Sequence, residues 1–163
     1  MRYVCMSCNA VHYQNPRVVV GCIAYCGNRV LMCRRANYPA RGQWAIPAGF
    51  LECHETLQQG AAREMFEETG VVVDHQRLEL DGIINLPAID QVMIAFRVEL
   101  LTPPIVCAGD ECLEVSLLSE SELRQGDFAW RQSLDPLAKQ FFGELPTRQF
   151  DVKIITVGAQ YSQ

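Results

Sequence analysis

The chain has 163 residues, of which 49% are hydrophobic and 20% charged, a composition typical of a soluble globular domain with its own core. A net charge of −5 and a pI near 5.2 argue against nucleic-acid binding, which needs a basic surface. No apolar run is long enough to span a membrane and the N-terminus lacks a secretion signal, so we expect a cytoplasmic protein without membrane partners.

The first sixteen residues form a short segment containing cysteine and histidine. Cys5 and Cys8 are separated by two residues, which is the spacing of half a tetrahedral zinc site, and a full site needs two further ligands. His12 lies nearby, whereas Cys22 and Cys26 fall on a predicted strand. The segment therefore holds either a zinc-binding pair or two free thiols, and we favour the thiols. Most of the remaining cysteines are interpreted as reduced.

The rest of the chain alternates strand-like and helix-like segments. A β-branched run and its return across Gly27-Asn28 predict a hairpin. The predicted strands are 17–24, 29–33, 44–47, 71–73, 78–84, 91–101 and 114–118, and 152–157 is also strand-like. Helices are predicted over 56–69, ending at Gly70, and within 135–142. This order predicts a mixed sheet covered by helices. We divide the chain into an N-terminal segment 1–16, a domain 17–143 and a C-terminal extension 144–163.

Three carboxylates crowd one edge of the first predicted helix. Glu64 and Glu68 lie one turn apart, and Glu67 lies about 60° to the side of Glu64. Like charges at this spacing repel, and a solvated acidic surface is one interpretation. The other is a site for Mg²⁺ (or Mn²⁺), which takes oxygen ligands. Two such ions could bridge a pyrophosphate and polarise its phosphorus for attack by water.

The loop before this helix contributes further candidates. Arg63 is placed to pair with Glu55 or Glu52, which would fix the loop against the helix. Gly49 would let the backbone approach a metal closely and leave the preceding strand at a sharp angle. Gly60 is a weak position in the helix, costing about 1 kcal/mol relative to alanine in an exposed helix interior.

The spacing of the whole segment decides between the two interpretations. Gly49, Glu55, Arg63-Glu64-Met65, Glu67-Glu68 and Gly70-Val71 match every fixed position of G-x5-E-x7-R-E-U-x-E-E-x-G-U, where U is apolar. The segment resembles the Nudix box of the Nudix hydrolases. This resemblance implies an α/β fold, a three-layer α/β/α sandwich around a mixed β-sheet. It also implies hydrolysis, with Mg²⁺ or Mn²⁺, of a nucleoside diphosphate linked to another moiety.

The resemblance also implies roles for individual residues. Glu64, Glu67 and Glu68 are the expected metal ligands, and one of them or a bound neighbour activates water. Gly49 is included in the metal site, and Arg63 and Glu55 in the catalytic group. Family members add a carboxylate from a loop beyond the box; here Glu111 is our first choice and Glu114 our second.

The N-terminal segment bears on the substrate. Residues 2–16 resemble the back half of a zinc ribbon that precedes the Nudix domain in NADH, ADP-ribose and FAD pyrophosphatases. The first cysteine pair of such a ribbon is not seen before Cys5, which puts zinc in doubt. The NADH branch carries Ser-Gln-Pro-Trp-Pro-Phe-Pro after its box, whereas residues 83–92 here read Ile-Ile-Asn-Leu-Pro-Ala-Ile-Asp-Gln-Val. We therefore expect ADP-ribose or FAD.

Several side chains are candidates for contact with the substrate. Arg34, Arg35 and Arg41 suit bidentate recognition of phosphate, although they could equally be ordinary surface charges. Glu52 is a further substrate-binding candidate. Three aromatic residues could stack on a base, but core packing is the expected role of each: Trp44, Phe50 and Trp130.

Two other functions stay open. One is cleavage of nucleoside triphosphates or RNA caps, and the other is a non-catalytic Nudix sensor that binds its ligand and signals through a partner. The intact box disfavours the sensor. We expect a small nucleotide as partner and a homodimer as assembly.

Overall fold

The β-branched runs of the sequence form the strands of one central sheet in the structure, a computed structural model that describes residues 2–157. The strands are β1 (Arg2–Val4), β2 (Val11–Tyr13), β3 (Arg17–Cys26), β4 (Arg29–Arg35), β5 (Trp44–Ala45), β6 (Ala48–Phe50), β7 (Glu79–Leu86), β8 (Gln91–Glu99), β9 (Cys112–Ser119) and β10 (Lys153–Thr156). The helices are α1 (Leu57–Thr69), α2 (Glu120–Gln125) and α3 (Arg131–Glu144).

The central sheet is mixed, as predicted. Its main path runs β10-β7-β8-β3-β4-β5, with β6 added to β3 and β9 added to β4. The β3–β8 and β10–β7 pairs are parallel, and the other pairs are antiparallel. Side chains alternate between the two faces of the sheet. Leu31 packs with Met65 of α1, while Val30 and Met32 pack with Phe141 of α3. The predicted three-layer α/β/α sandwich is confirmed.

Helix α1 is fixed at both ends by local hydrogen bonds. Thr56 caps its N-terminus in a reciprocal capping box with Gln59, and Gly70 ends it in the left-handed conformation with φ of 72°. Gly60 is buried, so the stability cost expected for a glycine in an exposed helix does not apply to it. A Cβ at Gly60 would lie 2.8 Å from Glu55 Oε1 and 3.0 Å from Val20, so the absence of a side chain lets α1 pack closely.

One predicted strand is absent from the structure, and one helix was not predicted. Residues 71–73 form no strand, because Val71 enters the core while Val72 is exposed, and the run leads directly to a 3-10 turn at His75–Arg77. Helix α2 was missed, although Ser119 and Glu122 form a capping box at its start, a signal that the sequence contains.

The strand-like run in the tail belongs to the central sheet. Residues of β10 pair in parallel with β7, with Lys153 opposite Gly82. The Lys153 side chain is buried, and its Nζ donates to Asp81 at 3.3 Å and to Glu144 at 2.9 Å. The tail therefore closes one edge of the sheet and brings a buried ion cluster with it.

The N-terminal segment is an exposed antiparallel hairpin of β1 and β2, in which Arg2 faces Tyr13. Hydrogen bonds from Ser7 and Cys8 hold the pKa of the Cys5 thiol below its usual value. Zinc binding by Cys5 and Cys8 stays a prediction. Within residues 2–157, no helix is long and apolar enough to cross a membrane.

Candidate active site

The three carboxylates of α1 share one edge of the helix but differ in exposure. Glu68 is 8% exposed, and the side chain of Glu64 is 12% exposed. The Glu67 side chain is 54% exposed. Two carboxylates thus lie at the margin of the core, while the third reaches solvent.

Arg63 ties the box loop to the carboxylate edge of the helix. Its Nε and Nη2 donate to the two oxygens of Glu55 at 3.1 and 2.8 Å, and Nη2 also donates to the Phe50 carbonyl. Nη1 donates to Glu64 at 2.7 Å and to Glu67 at 2.9 Å. The predicted pairing is thus formed with Glu55. Residue 52 takes part only through its backbone N–H, which donates to Glu55 Oε1 at 2.7 Å.

These contacts set the charge of Glu55. Hydrogen bonds from Arg63, together with the backbone N–H of Glu52, hold the pKa of the Glu55 carboxyl below its usual value. Glu55 is therefore a permanently charged anchor for Arg63 at neutral pH. Arg63 is in turn held against the helix edge, where it neutralises only part of the carboxylate charge.

Gly49 makes room for Glu64. A Cβ at Gly49 would lie 2.2 Å from Glu64 Oε1 and 2.3 Å from Oε2, so any side chain there would displace the carboxylate. Gly49 pairs with Val20 of β3, which places the end of β6 directly beside the helix edge. The sequence indicated a close approach at Gly49, and the structure shows that the approaching group is the Glu64 carboxylate.

Burial and repulsion between neighbouring carboxylates raise the pKa values of two carboxyl groups at this edge of α1. Burial raises the pKa of Glu68 to about 7, the charge of Glu64 adds to this, and hydrogen bonds from the Cys33 thiol and the Ala48 backbone oppose it. Burial also raises the pKa of Glu64, with contributions from Glu67 and Glu111. Hard oxygen donors with uncompensated charge are the donor set that suits Mg²⁺ or Mn²⁺.

The loop that carries Glu111 is fastened to the C-terminal end of α1. Cys107 N–H donates to the Thr69 carbonyl at 2.8 Å, and Gly109 N–H donates to the Glu68 carbonyl at 3.1 Å. A Cβ at Gly109 would lie 1.8 Å from the Glu67 carbonyl oxygen, so only glycine permits this contact. Sequence reasoning missed Gly109, because the residue lies about forty positions beyond the helix it touches and belongs to no local pattern.

The two candidates for the additional carboxylate are placed differently. Glu111 is close enough to Glu64 to raise its pKa, and its carbonyl accepts from Ala36 N–H at 2.8 Å. Glu114 instead lies opposite Arg34 in the β4–β9 ladder and pairs with it at 3.6 Å. The structure therefore brings Glu111 towards the helix carboxylates.

The three arginines before the box hold their own loop. Arg34 Nε donates to the Gly42 carbonyl at 2.8 Å, and Arg41 Nη1 donates to the Ala36 carbonyl at 2.5 Å. Arg35 differs from them, because its charge lowers the pKa of Glu68 and its guanidinium lies 5.1 Å from the ring centre of Trp130. Arg35 is thus the arginine of the three that the structure associates with the carboxylates.

Core packing was the expected role of three aromatic residues, and it holds for one of them. Trp44 packs against the core between the sheet and α3. Phe50 is 48% exposed, with Arg17 over its ring, and Trp130 is 37% exposed beneath Arg35. For Phe50 and Trp130 the expectation was wrong, because each ring lies against an arginine at the surface.

Comparisons with known proteins agree with this geometry. The NUDIX domain family matches residues 15–141. The ADP-ribose pyrophosphatase of Methanocaldococcus jannaschii is 31% identical over 115 residues, which are 68% of this chain and 66% of that protein. The NAD-capped RNA hydrolase NudC of Vibrio cholerae is 39% identical over 75 residues, which are 45% of this chain and 27% of that protein.

A solved structure extends the similarity over nearly the whole chain. The crystal structure of a NUDIX hydrolase from Nitrosomonas europaea is 45% identical, covers 96% of this chain and 88% of that chain, and superposes with a TM-score of 0.83. The two curated relatives are longer, and this chain spans 66% and 27% of their lengths. With the box in register and the Glu64 carboxylate beside Gly49, the chain belongs to the Nudix family.

Proposed function

We propose that the protein hydrolyses the pyrophosphate bond of a nucleoside diphosphate linked to another moiety, with ADP-ribose or FAD as substrate and AMP as one product. The observation that carries the proposal is the proximity of Glu68 and Glu111 to Glu64, whose carboxylate occupies the space that Gly49 leaves free. The similarity to an archaeal ADP-ribose pyrophosphatase supports the choice of substrate.

Four carboxylates fit a divalent metal site on chemical grounds. Glu64, Glu67, Glu68 and Glu111 would hold Mg²⁺ or Mn²⁺, since all offer hard oxygen donors and two of them have raised pKa values. Gly49 remains a proposed member of this site. The bound ion would lower the pKa of a water molecule and polarise the scissile phosphate.

The protein side chains would then position the reactants. Arg63, anchored on Glu55, holds Glu64 and Glu67 on the side of the helix that faces the loop. One of these carboxylates, or a neighbour bound to them, accepts the proton of the attacking water.

The substrate would meet Arg35 and Trp130 at the rim. A guanidinium over an exposed indole presents a positive charge for a phosphate and an aromatic face for a base. Arg34, Arg41 and Glu52 are proposed as further contacts. The first two already donate to carbonyls of the loop 36–42, so they would act on the substrate mainly by shaping that loop.

A second candidate function is removal of RNA caps. The similarity to a bacterial NAD-capped RNA hydrolase favours it. The net charge of −5 disfavours a long RNA partner, since RNA binding needs a positive surface. We therefore place cap removal second. A non-catalytic sensor is disfavoured because the carboxylates are all present.

A substrate panel tests the proposal. The purified chain is incubated with ADP-ribose, FAD, NADH, 8-oxo-dGTP and capped RNA, each with Mg²⁺ and with Mn²⁺, and products are separated by chromatography. We expect AMP from ADP-ribose or FAD, and none after chelation of the metal. A folded protein that releases no product from any of the five would contradict the proposal, and preferential cleavage of capped RNA would favour the second candidate.

The cellular and quaternary setting is also proposed. We expect a cytoplasmic homodimer, and sedimentation velocity at micromolar concentration measures the assembly directly. A single species with the mass of one chain would contradict the dimer without affecting the assignment of the site.

A further inference from the structure

Two buried thiols lie directly behind the carboxylate site. Cys33 lies in β4 and Cys112 begins β9, and both are buried. Their sulfur atoms and one carboxylate oxygen of Glu68 all lie within 4.8 Å of one another. The Cys33 thiol also donates a hydrogen bond to Glu68. Glu68 therefore faces two different sets of neighbours, oxygen donors on one side and sulfur donors on the other.

This triad matches the preferences of a soft divalent ion. Thiolates select ions such as Zn²⁺ and Cd²⁺, whereas Mg²⁺ takes oxygen ligands, so the triad and the carboxylate edge suit different metals. Ligand atoms about 2.3 Å from a tetrahedral zinc are roughly 3.8 Å apart. The two sulfur atoms and the Glu68 oxygen could therefore coordinate one ion after side-chain movements of roughly an ångström. A water molecule would take the fourth position.

The two cysteines are brought together by an irregularity in the sheet. In the β4–β9 ladder Cys33 pairs with Val115 and Cys112 pairs with Arg35, and the register shifts between Arg34 and Arg35. Both cysteines are free thiols although their sulfur atoms lie within 4.8 Å of each other. A metal ion can therefore bridge the two sulfur atoms while they stay unbonded to each other.

We propose that Cys33, Cys112 and Glu68 bind one Zn²⁺ or Cd²⁺ ion, and that this ion inhibits the enzyme by withdrawing Glu68 from the Mg²⁺ site. Each thiol releases its proton to solvent when it becomes a ligand. Two thiolates, one carboxylate and a divalent ion leave one negative charge, which Arg35 beside Glu68 offsets. The inhibition rests on the proposed function, whereas the binding site does not.

Cadmium titration tests the binding site. The experiment uses the full chain under reducing conditions with Cys5 and Cys8 both changed to serine, since that exposed pair is a competing ligand. Cd²⁺ binding is followed by the ultraviolet charge-transfer band of the cadmium–thiolate bond and by ¹¹³Cd NMR. We expect one tightly bound equivalent, with affinity at least tenfold lower in Cys33→Ala and in Cys112→Ala. The matched control is Cys22→Ala, another buried cysteine outside the triad, which should bind as the parent does.

The outcomes separate the site from the function. Equal affinity in Cys33→Ala and Cys22→Ala would overturn the site. If the Cys33 variant does not fold, ¹¹³Cd NMR of the parent decides, because a signal from two thiolates supports the site and its absence overturns it. In the hydrolysis assay, excess Mg²⁺ should relieve inhibition by Cd²⁺, with each variant referred to its own rate in Mg²⁺ alone. Cadmium binding without hydrolysis of any substrate would contradict the proposed function and leave the site standing.

Discussion

Within residues 2–157, two buried clusters of charge differ in how completely their carboxylates are paired. Around Asp81, Lys153 lies 3.3 Å from Asp81 and 2.9 Å from Glu144. Arg97 lies 3.7 Å from Asp81 and 2.7 Å from the more exposed Glu79. At the edge of α1, four carboxylates share Arg63 and the more distant Arg35. Each carboxylate of the first cluster thus has a paired cation, whereas in the second one arginine is shared by three carboxylates and negative charge is left in excess. Only the second therefore has a reason to bind a cation.

Burial raises the pKa of Asp81 despite the charges of Lys153 and Arg97, so the pKa values distinguish the two clusters at Glu144 and Glu68. Although burial acts to raise it, hydrogen bonds from Lys153 and Gln140 hold the pKa of Glu144 below its usual value. Glu68 has no cation in hydrogen-bonding contact among the described residues, and its pKa rises to about 7. Burial alone thus does not distinguish a structural cluster from a functional one; the balance of partners does.

Neutralising one carboxylate of the cluster at the edge of α1 should have the largest effect on activity. Glu68→Gln should lower the rate of hydrolysis at least a hundredfold, since a charged metal ligand is lost. Its stability without metal should stay the same or rise, because a buried charge is removed. Steady-state kinetics and denaturant unfolding measure both quantities. Glu79→Gln, on an exposed position of β7, is the matched control and should retain full activity.

The cluster around Asp81 should respond in the opposite way. Lys153→Met leaves Asp81 buried without its nearest cation and should cost about 3–5 kcal/mol of stability. Activity per folded molecule should remain. Arg124→Met, in an exposed pair with Glu120, should cost less than about 1 kcal/mol. Equal losses in the two variants would show that the Asp81 cluster does not stabilise the fold.

The contribution of Glu68 to the free energy of unfolding should depend on pH. In metal-free protein, Glu68 keeps its proton up to a pH of about 7, whereas the unfolded chain loses that proton near pH 4.5. The folded state therefore binds more protons in this window, so the contribution of Glu68 to stability falls as pH rises, by about 3 kcal/mol in total. Unfolding of the parent and of Glu68→Gln in EDTA at several pH values should show this difference. A pH-independent difference would contradict it.

The smallest expected effect distinguishes the two loop carboxylates. Glu111→Gln should weaken activation by Mg²⁺ at least tenfold, since even the loss of a partner outside the direct ligands typically costs that much metal affinity. Glu114→Gln removes an exposed pair with Arg34 and should change activation less than twofold. Magnesium titrations of the initial rate measure both. The reverse order would reassign the additional ligand to Glu114.

The sequence was sufficient to predict those contacts of the site that join residues close together in the chain. The spacing of Arg63 and Glu55 predicted their ion pair, and the helix from residue 57 to 69 followed from its composition and its terminal glycine. Contacts between distant segments were not accessible to it. The need for glycine at position 109 depends on the Glu67 carbonyl, and the exposure of Trp130 depends on a backbone turn with φ of 52°.

The same limit applied to the tail. The strand-like pattern of residues 152–157 was recognisable, but nothing local indicated that Lys153 would meet Asp81 across 72 positions. Periodicity identifies a strand, while its partner is decided by the packing of the whole domain.

The short strand β10 also has a consequence for solubility. A sheet edge with free N–H and C=O groups invites pairing with other chains, and proteins blunt such edges with short strands and charged residues. Four residues of β10 cover β7 in this way. A chain truncated after residue 143 would expose β7 as an open edge and bury Asp81 without its lysine. Self-association, more than loss of catalysis, would be the first consequence of shortening this protein.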